Sequence, residues 1–478
     1  MSTRTLVACL RDHVGATVTV AGWIHRRRVL KSVTFLVIRD RSGTAQAVFR
    51  ETPASAASRE PTAGASPGGG ETAAQPRLDG SHTAARPGFV TEETGARPTL
   101  TPAPSTSATG RRTTSPAGLA EETVVRLTGR VTANPRAPHG VELADPELEV
   151  LSVPAWRAPF DLYRPEVPAA LPTVLDHPAF ALRHPLLRKR FEVSAASVAA
   201  FRRALDRRGF TEIHTPKIVA TATESGANLF RLDYFGRPAY LAQSPQFFKQ
   251  AMVGVFERVY ETGPVFRAEP HDTARHLAQY TSLDAEFGFI TDHRDVMALL
   301  REVVAEMADA AGPDAPSVPA EIPSLDFVAA QELLARHTDT DPRGEPDLAP
   351  AHERWLGEWA EREHGSAFLF VTGYPMAKRP FYTEPDPADP ARSNSFDLLF
   401  RGVELVTGGQ RRHRYADYHA VLGDAAGQYA DYLDAFAHGM PPHGGFAIGL
   451  ERWVARVLGV PNVRGTTLFP RDLHRLRP

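Results

Sequence analysis

Between Glu51 and Ala120, 51 of 70 residues are Ala, Gly, Pro, Ser or Thr, and large apolar side chains are almost absent. Such a tract cannot bury enough surface to offset the entropy of ordering it, so residues 51–120 are expected to be a disordered low-complexity insertion. Short-strand patterns stand on both sides. Val18–Ile24, Phe35–Arg39 and Ala45–Phe49 precede it, with a turn signal at Asp40–Gly43, and Thr123–Val131 and Val141–Val153 follow it. Without the tract, residues 1–153 amount to about 85 residues of strands and turns, enough for a five-stranded OB-type barrel. The insertion then occupies a loop, where a long excursion costs little.

Residues 154–185 are rich in Pro and His and read as a hinge or linker. A helix is expected over Leu186–Arg208, where Phe191, Val198, Phe201 and Leu205 recur at helical spacing before Gly209. From there to Pro478 strands and helices alternate, so 186–478 is expected to form one α+β domain, with a peripheral Pro- and acid-rich insertion at about 312–350.

Charge and cysteine content narrow the function classes. Lys plus Arg number 54 and Asp plus Glu 56, which excludes a globally cationic nucleic-acid binder. Locally the picture differs: the first 50 residues hold nine basic side chains against Asp12 and Asp40. Cys9 is the only cysteine, so internal disulfides and cysteine-held zinc or iron–sulfur centres are out. No signal-like or membrane-spanning apolar run occurs, and a soluble, cytoplasmic protein is expected. Five lysines stand against 49 arginines, so a retained lysine carries more weight here than usual.

Four constellations carry possible chemistry. Phe266-Arg267-Ala268-Glu269, followed by Arg275-His276-Leu277, sits between two apolar strands, a hairpin whose loop concentrates cations suited to a polyphosphate. The plain alternative is a salt-bridged surface loop. Gly444–Arg452 leads a glycine-rich strand into a helix, where backbone can approach a ligand closely. Phe396–Arg411 places Glu404 and Arg411 near opposite ends of one strand–turn unit. That carboxylate suits Mg²⁺ beside a phosphate, or else a buried Glu–Arg pair. Ser244–Gln250 opens an apolar helix with Lys249, which would meet an anionic substrate group or simply face solvent.

Together these segments resemble the class II aminoacyl-tRNA synthetases. The motifs are a helix–strand ending at Pro216, the FRxE hairpin Phe266–Glu269 and a terminal Gly449–Arg452, with Ala447 in place of a usual glycine. SPQxxK, FRAExxxTxRHL, RGVELxxGGQR, MPPHGGF and LFPRD are similar to the aspartyl branch in its shorter, archaeal-type form. The resemblance implies an antiparallel catalytic sheet flanked by helices, an N-terminal OB domain that reads the anticodon, and a homodimer formed through the first motif.

It also implies roles for individual residues. Arg267 would hold the α-phosphate and the aspartyl carboxylate, and Glu269 would orient ATP and the tRNA end. Arg275, His276 and Arg452 would hold the triphosphate and Tyr280 the adenine, with Leu277, Gly449, Leu450 and Glu451 completing the ATP pocket. Glu404 would bind Mg²⁺ with Thr407, which stands where a serine is usual. Lys249 and Arg411 would face the aspartate side chain, Gln246 its ammonium, and Glu224 the loop that closes over it. A site with two cations prefers a carboxylate to an amide, because asparagine would leave a buried cation unpaired. Ser225, where a glycine is usual, and Pro270 are further departures that bear on rate.

In the barrel, Phe35 would stack on an anticodon base, with Gln46 and Glu142 hydrogen-bonding and Arg26–Arg28 on phosphates. A buried barrel-core Phe35 is the alternative. His25 occupies a position where discriminating relatives have tryptophan, which points to charging of tRNA(Asn) as well as tRNA(Asp). Asparagine–tRNA ligation, a non-catalytic RNA-binding paralogue and a specialised second copy are the competing readings.

Overall fold

The computed structural model describes residues 4–50, 115–221 and 228–477. Most of the expected 51–120 insertion, and the Glu224 and Ser225 positions, fall outside them. The chain divides into two compact units, Met1–Pro168 and Ala169–Pro478.

The first unit is a closed barrel of β1 (Thr17–Val29), β2 (Val33–Asp40), β3 (Gly43–Arg50), β4 (Val124–Ala133) and β5 (Val141–Ser152), in the order β1-β2-β3-β5-β4. Alternation along each strand sends Val18, Val20, Ile24, Leu36, Ile38, Leu127 and Leu143 into one core. Gly22 is needed where β1 crosses β2, because a Cβ there would lie 2.2 Å from the Arg39 carbonyl oxygen. Two boundaries differ from expectation. Leu119 is buried in the barrel core, so the end of the 51–120 tract is structural. In the expected hinge 154–185, Phe160 and Leu162 are buried within this unit, since apolar side chains among the prolines still find cover.

The second unit begins within that hinge. Prolines in the first turn start α1 (Leu171–Asp176), α2 (Pro178–Ala181) and α3 (Pro185–Asp206). Next come β6 (Thr211–Glu212), then β7 (Ile218–Val219), β8 (Arg231–Tyr234) and β9 (Arg237–Leu241), which form a small separate sheet. The remaining elements are α4 (Gln246–Phe256), β10 (Arg258–Phe266), β11 (Gln279–Gly288), α5 (His293–Ala311), β12 (Ser324–Asp326), α6 (Phe327–His337), α7 (Pro350–His364), β13 (Phe368–Thr372), β14 (Ser395–Phe400), β15 (Glu404–Arg411), α8 (Tyr415–Leu422), α9 (Ala430–Ala437), β16 (His443–Gly449) and α10 (Leu450–Val457).

The main sheet runs β12-β13-β14-β15-β16-β11-β10-β6. It is antiparallel through its centre and parallel at both edges, β12 with β13 and β10 with β6, so the sheet is mixed rather than purely antiparallel. The 312–350 stretch is more than a peripheral insertion. It supplies edge strand β12, and Phe327, Ala330, Leu334 and Leu348 pack into a core with Leu369 and Tyr374. Among the described residues, no helix is long and apolar enough to cross a membrane.

Register decides what each face of the sheet does. Leu283, Ala285 and Phe287 of β11, Phe446 and Ile448 of β16, and Phe396 and Leu398 of β14 lie on the face packed by α3, α5 and α10. Their alternating neighbours Ser282, Asp284, Glu286, Asp397, Thr407 and Arg411 share the opposite face. One face is core. The other is a row of charges.

Candidate active site

Lys249 lies in the first turns of α4 and is 1% exposed. Its Nζ is 2.9 Å from Asp284 Oδ1, 3.2 Å from Glu286 Oε2 and 3.2 Å from the Phe446 carbonyl. Arg411, at the end of β15, donates from Nε to Glu286 Oε1 at 2.9 Å and from a terminal nitrogen to the Gly445 carbonyl at 3.1 Å. The two expected cations therefore converge, but they are not uncompensated: two carboxylates on β11 balance them. Burial pushes the Glu286 carboxyl upward, yet Arg411 and Lys249 outweigh it and hold it below the usual range. Those two bonds use only two of the five N–H groups of Arg411, which leaves donors for a substrate. Gln246, three residues before Lys249 in the first turn of α4, has its Nε2 buried without a hydrogen-bond partner among the described residues.

Small residues make the floor of this pocket. A Cβ at Gly445 would lie 2.1 Å from the Ala285 carbonyl and from Glu286 Oε2. Behind it, His443 is fully buried, with Nδ1 2.9 Å from the Pro441 carbonyl and Nε2 3.2 Å from Gln250 Nε2. Burial lowers this imidazole to about 4, so it is neutral, with Nδ1 donating and Nε2 accepting.

The other end of the site is the β10–β11 loop. Arg267 emerges from β10, its backbone N–H bonded to the Ala278 carbonyl, its guanidinium 3.8 Å from Glu269 and 5.7 Å from the Tyr280 ring centroid. Arg275 is held by Glu353 at 2.8 Å, and Glu353 also accepts from the Glu404 backbone. Burial keeps His276 below its ordinary value despite Glu269, and its Nδ1 lies 2.6 Å from Thr273 Oγ1. Arg452, in the first turn of α10, donates to the Glu404 carbonyl and stands 3.8 Å from its carboxylate.

Leu450 packs in the main core, Leu277 is half-buried, and the Glu451 carboxylate accepts from the Thr281 backbone at 3.0 Å. Burial raises the Glu451 carboxyl to about 7. Gly449 pairs with Ser282 at the strand end.

Between the two ends lies an oxygen-only donor set. Thr407 donates to Glu404 Oε1 at 3.1 Å, and Asp397 faces Thr407 directly across β14–β15. Asp397 was not signalled by the sequence, although it sits in the same hairpin. Its Oδ2 is 3.2 Å from Arg379, while its Oδ1 is buried without a hydrogen-bond partner among the described residues. Burial raises the Asp397 carboxyl against the pull of Arg379. For Glu404, Arg452 and the Thr407 hydroxyl outweigh burial and lower it. Two carboxylates, one of them with an orphaned buried oxygen, and a hydroxyl fit a Mg²⁺ ion.

In the barrel, Phe35 is half-buried on the outer face of β2 rather than in the core. With Arg26, Arg28, Val37 and Gln46 it lines a surface depression. Gln46 donates to Glu142 at 2.9 Å, and Asn134 donates to the same carboxylate oxygen at 2.6 Å. His25 Nδ1 lies 2.9 Å from Arg39, which pairs with Glu122 at 2.8 Å.

Comparison with known proteins agrees with this layout. Residues 171–473 match the family of class II tRNA synthetases (D, K and N), and residues 18–66 match the OB-fold nucleic acid binding domain. The chain is 41% identical to the aspartate–tRNA(Asp/Asn) ligase of Thermus thermophilus, across 99% of this chain and 100% of that one. It is 39% identical to the Deinococcus radiodurans protein of the same name, across 99% of both. Its fold superimposes on the asparaginyl-tRNA synthetase of Pyrococcus horikoshii, a structure with asparaginyl-adenylate, at a TM-score of 0.80, 26% identity and full coverage of both chains. With a family model spanning most of its length and full-length relatives near 40% identity, the chain belongs to the class II tRNA synthetases of the aspartate, lysine and asparagine group.

Proposed function

We propose that this chain is an aspartate–tRNA ligase, which joins L-aspartate to ATP as aspartyl-adenylate and then passes the aspartyl group to the 3′ end of tRNA. The observation that carries the reading is the convergence of Lys249 and Arg411 beside the Arg267 and Glu404 end of one sheet face. Lysine and arginine present only donors, so the pocket wall they form matches a substrate carboxylate better than an amide NH₂. Arg411 takes the side-chain carboxylate with its remaining N–H groups, and Gln246 takes part in seating the amino-acid backbone. Asp284 and Glu286 keep the cluster neutral when no substrate is present.

In the first step the α-carboxylate attacks the α-phosphorus and pyrophosphate leaves. In the second the ribose hydroxyl of the tRNA end attacks the activated carbonyl and AMP leaves. Neither step asks for a protein nucleophile; position and electrostatics suffice. Arg267 meets the charge that grows at the α-phosphate. Arg275, His276 and Arg452 hold the remaining phosphates, for which Arg275 must exchange Glu353, and Tyr280 lies beside the adenine. Mg²⁺, held by Glu404, Thr407 and Asp397, would supply phosphate charge neutralisation.

The barrel reads the anticodon with Phe35, Gln46 and Glu142, and Arg28 contacts its backbone. His25, tied to Arg39, favours acceptance of tRNA(Asn) alongside tRNA(Asp), as do the relatives' names. The working form is a cytoplasmic homodimer.

One observation favours asparagine as the runner-up substrate. Glu286 Oε2 has an ion-pair neighbour in Lys249 but no hydrogen bond among the described residues, and an amide NH₂ would supply one. Charging of tRNA(Asp) and tRNA(Asn) transcripts with labelled aspartate, and separately asparagine, decides between them. Aspartate on both transcripts is expected. Asparagine charging without aspartate charging overturns the substrate assignment.

A further inference from the structure

The loop between β10 and β11 brings together three side chains of metal-ligating type, of which the ligation reaction leaves His271 without a role. Glu269, His271 and His276 each offer one donor atom, and the three atoms lie within 4.8 Å of one another. Glu269 Oε2 is the hub, 3.6 Å from His271 Nδ1 and 3.8 Å from His276 Nε2. The two imidazole centroids are 5.1 Å apart. We infer that these three residues form a transition-metal site that takes Zn²⁺ or a similar imidazole-seeking dication, and that its occupation excludes the nucleotide.

The geometry is close to what such an ion demands. Zinc bonds of about 2.0–2.1 Å at tetrahedral angles put donor atoms about 3.4 Å apart. The two hub distances therefore need contractions of a few tenths of an ångström, and the imidazole donors, within 4.8 Å of each other, close the site by a swing of His271. The loop carries His271 at 57% side-chain exposure, where that movement is cheap. His276 is already oriented: Thr273 Oγ1 engages its Nδ1 at 2.6 Å and leaves Nε2 turned toward Glu269. Three protein ligands leave a position open for water.

The ligand types separate this site from the Mg²⁺ set. Two imidazoles and one carboxylate suit Zn²⁺, Cu²⁺ or Ni²⁺, whereas Glu404, Thr407 and Asp397 offer only oxygen. The neighbouring cations oppose a dication. Arg267 stands 3.8 Å from the other Glu269 oxygen, and Arg452 and Arg275 act on His276. Arg275 is balanced by Glu353, so the site is weaker than a structural zinc centre without being abolished.

The competition with nucleotide rests on the reading above, in which Glu269 and His276 serve ATP. Metal binding itself does not. The test therefore has two arms. The first titrates Zn²⁺ against a chromophoric chelator, with excess Mg²⁺ present, for the wild-type chain and for His271→Ala. One bound Zn²⁺ in the wild type is expected, weakened about tenfold or more in the variant. Equal stoichiometry and affinity in the two proteins overturns the site.

The second arm follows aspartate-dependent ATP–pyrophosphate exchange at buffered free Zn²⁺. His271 is outside the proposed nucleotide contacts, so the variant is expected to match the wild type without zinc and to resist inhibition by it. Inhibition that persists undiminished in His271→Ala overturns the proposal. A wild-type chain with no exchange at all would count against the ligase reading, while the chelator titration still decides the metal site.

Discussion

At the amino-acid end of the site, Lys249, Asp284, Glu286 and Arg411 are at most 7% exposed, and their opposite charges meet at 2.9–3.2 Å. At the nucleotide end, Arg267, Glu269, Arg452 and Glu404 keep between 24% and 39% of their side chains in water, and their opposite charges approach no closer than 3.8 Å. The first end is a finished structure that a ligand must enter. The second keeps its ion pairs long and partly in water, where a polyanion can enter between them. The difference follows from position: Asp284 and Glu286 are fixed by register on both sides of β11 and gather Lys249 and Arg411 to them, while Arg267 and Glu269 belong to the β10–β11 loop.

This contrast predicts that equal losses of activity will carry unequal losses of stability. Arg411→Ala strips Glu286 of its hydrogen-bonded partner inside the sheet. Exchange should fall by about three orders of magnitude or more, and stability by about 3 kcal/mol, because two buried carboxylates are left to share the single cation Lys249. Arg267→Ala should cost about 10²–10³ in exchange while leaving the melting temperature close to wild type, since a half-exposed ion pair is worth little. Exchange assays beside thermal melts check both. If Arg267→Ala proves as destabilising as Arg411→Ala, the two ends are not built differently.

Asp397 tests the region between them. One of its oxygens is buried without a hydrogen-bond partner among the described residues, and it faces Thr407 across the hairpin, beside Glu404. Asp397→Asn should raise the Mg²⁺ concentration needed for half-maximal exchange by about 10–100-fold. The displaced Mg²⁺ curve is the informative readout, because excess ion should restore most of the rate. A variant whose Mg²⁺ dependence is unchanged would place Asp397 in the scaffold alone.

The two ends also differ in how far they could be read beforehand. Arg267, Glu269, Glu404, Lys249, Arg411 and Arg452 announced themselves by residue type and local spacing, and the structure brings all six to one side of the sheet. Asp284, Glu286 and Asp397 did not. Each is an acid with apolar residues on either side, and what gives it meaning is the cross-strand register that sets Glu286 opposite Gly445 and Asp397 opposite Thr407. Register is non-local and has no signature within a ten-residue window.

The same reason explains the selectivity argument. Two cations were legible, but their compensation by β11 was not. The barrel was easier, because its strands alternate visibly, whereas the hinge misled: prolines mark helix starts as readily as linkers, and α1 and α2 use them so. Phe35 needed the strand's phase, with Leu36 and Ile38 inward, to be placed outside.

Glu451 is the exception that sharpens the contrast, a buried acid at the otherwise open nucleotide end. Its two oxygens each lie 3.0 Å from the Thr281 N–H, and it has no cation to balance it. Burial lifts the carboxyl from an ordinary 4.5 to about 7. The folded chain therefore holds a proton that the unfolded chain releases between those values. Its contribution to stability is fully present below pH 4.5, is lost as pH rises through about 7, and stays lost above it. At about 1.4 kcal/mol per pH unit, the gap sets a ceiling of about 3 kcal/mol. Glu451→Gln keeps an acceptor for Thr281 without the charge. Denaturant unfolding of the two proteins should coincide near pH 4.5 and separate up to pH 7.5, with the variant the more stable. Curves that stay parallel across that range would mean the carboxylate is solvated, and the nucleotide end would then be open throughout.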